Sequence, residues 1–353
     1  MEDKKIRGKR KDEHLLLAQH LPAGPGSSGL ENISLINNSV PELELEEIDL
    51  SYIFLGKKLK YPLLINAITG GTEQAADINR ALSTLAARQH IAMAVGSQTI
   101  AIEDPSLRYT FALVREANPD GVILANISAA SGVKEAIEAV EMIQADGLQL
   151  HFNIPQELAM PEGERSFKGI LERVKKISEN CPVPIIAKEV GFGFSRESIE
   201  RIYQTGVSIF DIGGQGGTNF VSIEDQRRGM FGSELDGWGI PTAVSLIEAL
   251  SMEFPVKIIA SGGIRSALDA AKALALGADM VGMAGSLLKI LLNHGPGELE
   301  KEIKALFYRL KAVFLMTGAR TPEEIKEKPL IIMNETAQWI ESRGIDKYKW
   351  SCR

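Results

Sequence analysis

Cysteine is nearly absent from this chain, with Cys181 and Cys352 the only two in 353 residues. They lie far apart, which excludes a disulfide framework and a cysteine-held metal cluster. A reducing compartment is expected, the cytoplasm by default. Long apolar runs are missing too. None reaches the roughly 20 residues that a membrane span needs. The charged start, Met1 to His14, lacks the apolar core of a secretory signal. There is no basic excess: 39 Lys and Arg against 46 Asp and Glu leave a formal charge of -7. That balance gives no general attraction to nucleic acid or to an anionic membrane. An anionic ligand therefore needs a locally basic pocket. The remaining composition, 44% hydrophobic and 24% charged, is ordinary for a globular protein.

Glycine is plentiful, and it clusters. Ser208 to Phe220 reads SIFDIGGQGGTNF. A short apolar run breaks into Gly213-Gly214-Gln215-Gly216-Gly217 and then Thr218-Asn219. Glycine lacks a Cβ, so backbone N–H groups can approach a ligand closely. The pattern suggests a buried strand opening into a backbone-lined site. A flexible surface loop is the ordinary alternative.

Similar runs recur along the chain: Leu63–Ala67, Ile91–Val95, Gly121–Ile127, Gly147–Phe152, Val183–Val190, Ser208–Ile212, Val256–Ala260 and Met280–Met283. They are continuous rather than alternating, as parallel strands buried on both faces are. Helical patterns fill the gaps at Gln74–Gln89, Lys134–Gln144, Phe167–Glu179, Ser195–Gln204, Pro241–Ser251 and Leu268–Leu276. Eight β–α units predict an α/β fold, a (β/α)8 TIM barrel spanning residues 1–353 as one domain. A doubly wound sheet is the alternative architecture. Residues 1–30 read as a mobile basic arm, and residues 290–353 as helices packed on the barrel or on a neighbouring subunit. Ile223–Trp238 is an insertion expected to cover the site.

In such barrels the chemistry gathers where strands end. Those ends read Ala67-Ile68-Thr69-Gly70-Gly71, Gly96-Ser97-Gln98, Asn126, His151-Phe152-Asn153, Lys188-Glu189, the glycine stretch, Ser261-Gly262-Gly263-Ile264-Arg265 and Ala284-Gly285-Ser286. The last two suit a cofactor's phosphate, since the loops after strands seven and eight often form such a site. Lys188 ends an apolar strand and needs a partner or an anionic ligand. Glu189 beside it is one possible partner. Thr69, Ser97, Asn126 and Thr218 suit the polar edge of a planar heterocycle. Glu157 is a candidate Mg²⁺ ligand, because that ion takes one or two carboxylates plus substrate phosphates. A surface charge at a helix start is the alternative. Glu224 is a weaker candidate for a second carboxylate. On sequence alone, a histidine such as His151 is more often a core residue than a base.

Together these segments resemble the type 2 isopentenyl diphosphate isomerases, FMN-dependent barrels of isoprenoid synthesis. The resemblance runs from about Arg10 to the tail. Its carrying segments include Arg10-Lys11-Asp12-Glu13-His14, Ala67 to Gly71, Val95 to Gln98, His151 to Glu157, Lys188 to Gly193, Gly216 to Phe220 and Trp238 to Thr242. It implies interconversion of isopentenyl and dimethylallyl diphosphate by a 1,3-allylic proton shift, with reduced FMN as acid and base, Mg²⁺ as a requirement and NADPH as reductant. It further implies that Ala67, Ile68, Thr69, Ser97, Asn126, Lys188, Thr218, Gly263, Ile264, Arg265, Ala284 and Gly285 hold FMN. Arg10, Lys11, Ser97, Gln98, His151, Asn153 and Gln156 would bind substrate, Glu157 the metal. Gln156, His151 and Lys188 would be the catalytic side chains. Partners would be the small-molecule substrate and further copies, as a homotetramer or homo-octamer, with no nucleic acid and no membrane. Two places depart from the family's pattern: Gly213, where many members carry serine or alanine, and Thr99, where a bulkier or basic residue is usual.

Three rivals remain. A hydroxyacid oxidase needs a base, usually histidine, just past the sixth strand, and Gly-Gly-Gln-Gly-Gly stands there instead. A barrel like inosine monophosphate dehydrogenase needs a nucleophilic loop cysteine, which neither Cys181 nor Cys352 supplies. The third is a non-catalytic barrel that only binds a flavin or a phosphate ligand.

Overall fold

The computed structural model describes residues 26–228 and 230–353. Arg10 and Lys11 lie outside them. Three short strands come first: β1 (Ile33–Leu35), β2 (Tyr52–Phe54) and β3 (Lys57–Leu59). Eight parallel strands then close into a barrel. They are β4 (Leu63–Ile65), β5 (Ala92–Ala94), β6 (Ile123–Ser128), β7 (Gly147–Phe152), β8 (Ile185–Glu189), β9 (Ile209–Asp211), β10 (Lys257–Ser261) and β11 (Met280–Met283). β11 pairs back onto β4 to close the ring. Each apolar run in the sequence supplies one barrel strand, its bounds shifted by no more than one or two residues. A last strand, β12 (Leu330–Ile332), pairs antiparallel with β1.

Helices return the chain between strands, and their starts are locally encoded. Thr72 caps Glu73–Gln89 by accepting from the Ala75 amide, and Ser195 caps Arg196–Tyr203 by accepting from Ser198. Ser266 and Asp269 form a capping box ahead of Ala267–Leu276. Val133–Ile143, Ile170–Asn180 and Thr242–Leu250 complete the expected set. Two helices after β5, Thr99–Glu103 and Tyr109–Ala117, carry too short an apolar period to stand out in the sequence. The helical stretch Gly285–Thr317 starts straight after β11 and breaks at Gly295 (φ 80°), ahead of Pro296. Proline lacks the N–H that would continue the ladder. The C-terminal residues lie against the barrel's helices: the Trp350 indole donates to the Leu276 carbonyl at 2.9 Å.

The barrel interior is layered. Its lower layer is apolar: Leu64, Ala92, Ala94, Leu124, Ile186, Ile209, Ile259 and Met280 pack together with Phe54 and Leu59. Those last two come from the β2–β3 hairpin, which stoppers the end where the strands begin. Leu55, at its turn, reaches Gly147 at the start of β7. Nothing in the sequence pattern announces this hairpin, because each strand has three residues and Lys57-Lys58 interrupts the apolar run. Along a strand, side chains alternate between faces. Two residues beyond Leu64, Leu124, Ile186, Ile209 and Ile259 stand Asn66, Asn126, Lys188, Asp211 and Ser261. The interior thus turns from apolar to polar within one layer, and that layer is the floor of the site.

Candidate active site

Asp211 is the centre of this floor and is fully buried. The Lys188 ammonium lies 3.0 Å from its Oδ2. Asn66 Nδ2 donates to the same oxygen at 2.6 Å and Gln149 Nε2 at 3.2 Å. The Ser261 hydroxyl donates to Oδ1. Gln149 Nε2 also reaches Asn66 Oδ1 at 3.1 Å. Beyond Gln149, Asn126 Nδ2 donates to its Oε1 at 3.2 Å, and His151 Nδ1 lies 2.8 Å from Asn126 Oδ1. Gly282 makes room for this packing, since a Cβ there would stand 2.9 Å from both Asn66 Nδ2 and Ser261 Cβ.

Glu189 is not the side-chain partner of Lys188. Neighbouring residues on a strand face opposite ways, so Glu189 points out of the barrel while Lys188 points in. Its carboxylate accepts from the amides of Phe192 (2.6 Å) and Gly193 (2.8 Å). Burial pushes this carboxyl up to about 8, against the pull of those two amides and of the Lys188 charge.

The rim is built from backbone. The glycine stretch is no surface loop: Gly213 to Gly216 are buried, and the Gly213 carbonyl accepts from the amides of Gly191 and Gly193. Loops after β9 and β10 meet main chain to main chain. A Cβ on Gly262 (φ +103°) would stand 2.0 Å from the Gly214 carbonyl oxygen, and one on Gly217 would stand 3.1 Å from the Gly262 Cα. Thr242 Oγ1 bridges the two loops, and the Arg265 guanidinium donates to the Gly216 carbonyl. Thr218 Oγ1 lies 3.5 Å from where a Gly285 Cβ would be. The helix that opens at Gly285 has no side-chain cap at Ala284, so its first amides face the same rim. Across the mouth, the Gly96 amide donates to the Thr69 carbonyl, joining the ends of β4 and β5. The first described residues also abut the rim: a Cβ on Gly216 would stand 2.6 Å from the Ser28 amide nitrogen.

Most residues singled out in the sequence come to this one end of the barrel. Asn126, His151 and Lys188 share one polar network. Ala67, Ile68, Thr69 and Ser97 lie on one side, with Thr218, Gly263, Ile264, Arg265, Ala284 and Gly285 on the other. Asn153, Gln156 and Glu157 open the short helix Ile154–Ala159, and Asn153 Nδ2 donates to Glu157 Oε1 at 3.1 Å. Glu157 Oε2 accepts from the Glu164 amide at 2.9 Å. Among the described residues no three His, Cys, Asp or Glu side chains gather as a metal site.

One expectation needs correcting. Gln98 does not face the substrate side. It is fully buried, its Nε2 donating to the Ala139 carbonyl and its Oε1 accepting from the Asn126 amide. Its long side chain braces β6 against the helix Val133–Ile143. Glu224, the weaker candidate for a second carboxylate, is buried and ion-paired with Arg227 at 2.6 Å. The insertion around it forms the helix Phe220–Arg228 and a run of turns, joined to Ile154–Ala159 through Val221, Phe231, Leu235 and Ala159. The residues missed from sequence are Asn66, Gln149 and Asp211. Their signal is a polar side chain inside an apolar run, two positions beyond a core residue.

Known proteins resemble this chain in sequence and in fold. Residues 163–332 match the family model described as FMN-dependent dehydrogenase. An isopentenyl-diphosphate delta-isomerase of Moorella thermoacetica is 50% identical over 337 residues, covering 96% of this chain and 97% of that protein. One from a Geobacillus species is 45% identical, covering 98% and 99%. Among solved structures, a Pediococcus acidilactici lactate oxidase superposes with a TM-score of 0.66 at 17% identity, covering 92% of this chain and 94% of that one. A mandelate oxidase with benzaldehyde gives 0.65 at 16%, covering 90% and 97%. At that identity the likeness is one of fold.

Proposed function

The chain belongs to the FMN-dependent, type 2 isopentenyl-diphosphate delta-isomerases, and on that premise we propose that it interconverts isopentenyl and dimethylallyl diphosphate by a 1,3-allylic proton shift. The near-full-length identity to the Moorella relative carries this reading. The local chemistry supports it. A rim of glycine backbone, an uncapped helix start and a buried ammonium fit a flavin mononucleotide. In this reading Gly263, Ile264, Arg265, Ala284 and Gly285 hold its phosphate, while Ala67, Ile68, Thr69, Ser97, Asn126, Thr218 and Lys188 hold its ring. When bound and reduced, FMN supplies proton-transfer chemistry and negative charge beside the alkene.

The chain's own residues do the rest. One C–H bond forms at one end of a three-carbon unit and one breaks at the other, with no net redox change. Charge developing in that unit needs a dry, polar-lined site. Lys188 has three donors. Asp211 and the Glu189 carbonyl take two of them, and the third is left for an anionic ring edge. His151, Asn153 and Gln156 orient the alkene. Each Glu157 oxygen accepts one N–H and keeps a lone pair for Mg²⁺, whose other ligands would come from the diphosphate. Arg10 and Lys11 neutralise that diphosphate, whose binding energy orients distant carbons. NADPH as reductant, a cytoplasmic location and assembly as a homotetramer or homo-octamer belong to the same proposal.

The test is direct. FMN is reduced anaerobically on the purified protein, and isopentenyl diphosphate is added with Mg²⁺. Dimethylallyl diphosphate should accumulate to an equilibrium mixture. No product under reducing conditions defeats the proposal, and steady peroxide release with a 2-hydroxy acid would replace it with an oxidase.

A further inference from the structure

We propose that Asp211 is a positioning residue that sets two catalytic groups at once: it anchors the Lys188 ammonium directly, and through Gln149 and Asn126 it fixes His151 as its Nδ1–H tautomer. The inference rests on the reading above for the roles of Lys188 and His151, but its geometry stands independently.

The direction of the chain follows from elementary donor and acceptor counts. An ionised carboxylate only accepts hydrogen bonds. Gln149 and Asn66 both contact Asp211 Oδ2, so each must turn its NH₂ toward it. Gln149 therefore presents its carbonyl oxygen to Asn126, 3.2 Å away. That oxygen again only accepts, so Asn126 must offer its own NH₂. Its carbonyl oxygen is then the atom 2.8 Å from His151 Nδ1. A carbonyl oxygen cannot donate, so Nδ1 must carry the proton. In the neutral ring Nε2 is then the basic nitrogen. Asn66 checks the assignment independently. With its NH₂ on Asp211, its oxygen is left to accept, and it does so from the Ala67 amide at 2.8 Å and from Gln149 at 3.1 Å.

Strand register explains why one residue can serve both. His151 lies opposite Lys188 across β7 and β8, and Lys188 lies opposite Asp211 across β8 and β9. Asp211 and Gln149 are both fully buried, so water does not compete for these bonds. A carboxylate at this place is a strong anchor because removing its charge leaves Lys188 without its counter-ion.

The test uses the full-length protein with ¹⁵N-labelled histidine. There are five histidines, and the His151 signals are identified by their loss in His151→Gln. The wild type should give a pyrrole-type resonance for Nδ1 and a pyridine-type resonance for Nε2 in the neutral ring. Gln149→Met, close in volume, severs the relay and leaves the Lys188–Asp211 pair, so it should mix or reverse the tautomers. Asp211→Asn should do the same and should also shift the midpoint potential of bound FMN, which Gln149→Met should leave nearly unchanged. A wild-type ring protonated on Nε2 overturns the proposal without any variant. So does an Asp211→Asn protein that melts lower but keeps both the tautomer and the potential. Because the tautomer is read without turnover, failure of the isomerase reading would leave it standing, and the reverse also holds.

Discussion

Replacing Glu189 by glutamine should change how stability depends on pH, and the sign can be worked out in advance. Glu189 is 7% exposed, and burial of its carboxyl raises the pKa to about 8 from the ordinary 4.5. The native state therefore binds this proton more tightly than the unfolded chain. Stability from this site is full below pH 4.5, declines as pH rises toward 8, and is lowest above it. One pKa unit corresponds to about 1.4 kcal/mol, so the interval amounts to about 5 kcal/mol at most. Glu189→Gln removes the ionisation yet keeps a carbonyl oxygen for the amides of Phe192 and Gly193. Urea unfolding of the FMN-free wild type and variant from pH 5 to 9 isolates the effect, since all other titrating groups cancel in the difference. The variant should gain on the wild type by roughly 1 kcal/mol per pH unit between pH 5.5 and 8. A flat difference, or a variant that is weaker at pH 8, would refute the reasoning. It would mean that the two amides outweigh burial and hold the carboxylate ionised.

Four other outcomes are expected. Lys188→Ala strands the Asp211 carboxylate and should lower stability by about 3–5 kcal/mol, with FMN retention on gel filtration falling alongside. Gly262→Ala drives a methyl to within 2.0 Å of the Gly214 carbonyl oxygen at φ +103°, so an absorbance spectrum of the purified variant should lack bound flavin. Glu157→Gln should abolish the Mg²⁺ dependence of the rate while leaving the flavin spectrum intact. Phe54→Ala opens the barrel stopper and should cost about 3–5 kcal/mol in denaturant unfolding, with FMN affinity in the surviving folded fraction little changed.

How far the sequence was legible depends on which periodicity a segment carries. The barrel strands were readable because parallel strands covered on both faces must be apolar throughout, as in Pro184 to Ala187. The rim was readable because backbone-to-backbone packing leaves no choice but glycine, as at Gly262 and Gly263. Lys188 stood out as a cation in an apolar run. Asp211 holds the equivalent position one strand on, yet it sits next to the glycines and reads as part of their turn. Gln149, between Leu148 and Leu150, looks like a tolerated polar residue until its neighbours across the sheet are known. Gln98 misled because a polar residue beside a strand end need not face inward; whether it lines the mouth or braces a helix depends on a side-chain direction that spacing alone does not give. The β2–β3 hairpin escaped because its strands are too short to show a period.

The pairing of β1 with β12 has a consequence for how the chain is made. Register joins Ile33 to Ile332, positions about 300 residues apart. Leu30 and Ile33 are fully covered in the finished molecule, but the strand that pairs with Ile33 leaves the ribosome long after it. At translation rates of roughly 5–20 residues per second, about 15–60 s pass before residue 332 exists. Closure of the barrel by β11 onto β4 waits nearly as long. Throughout that interval the apolar faces of the first strands stay open to chaperones or to neighbouring nascent chains. A molecule whose early strand is zipped to a much later one thus waits on the later segment, and removal of β12 should be felt most by β1, synthesised long before it.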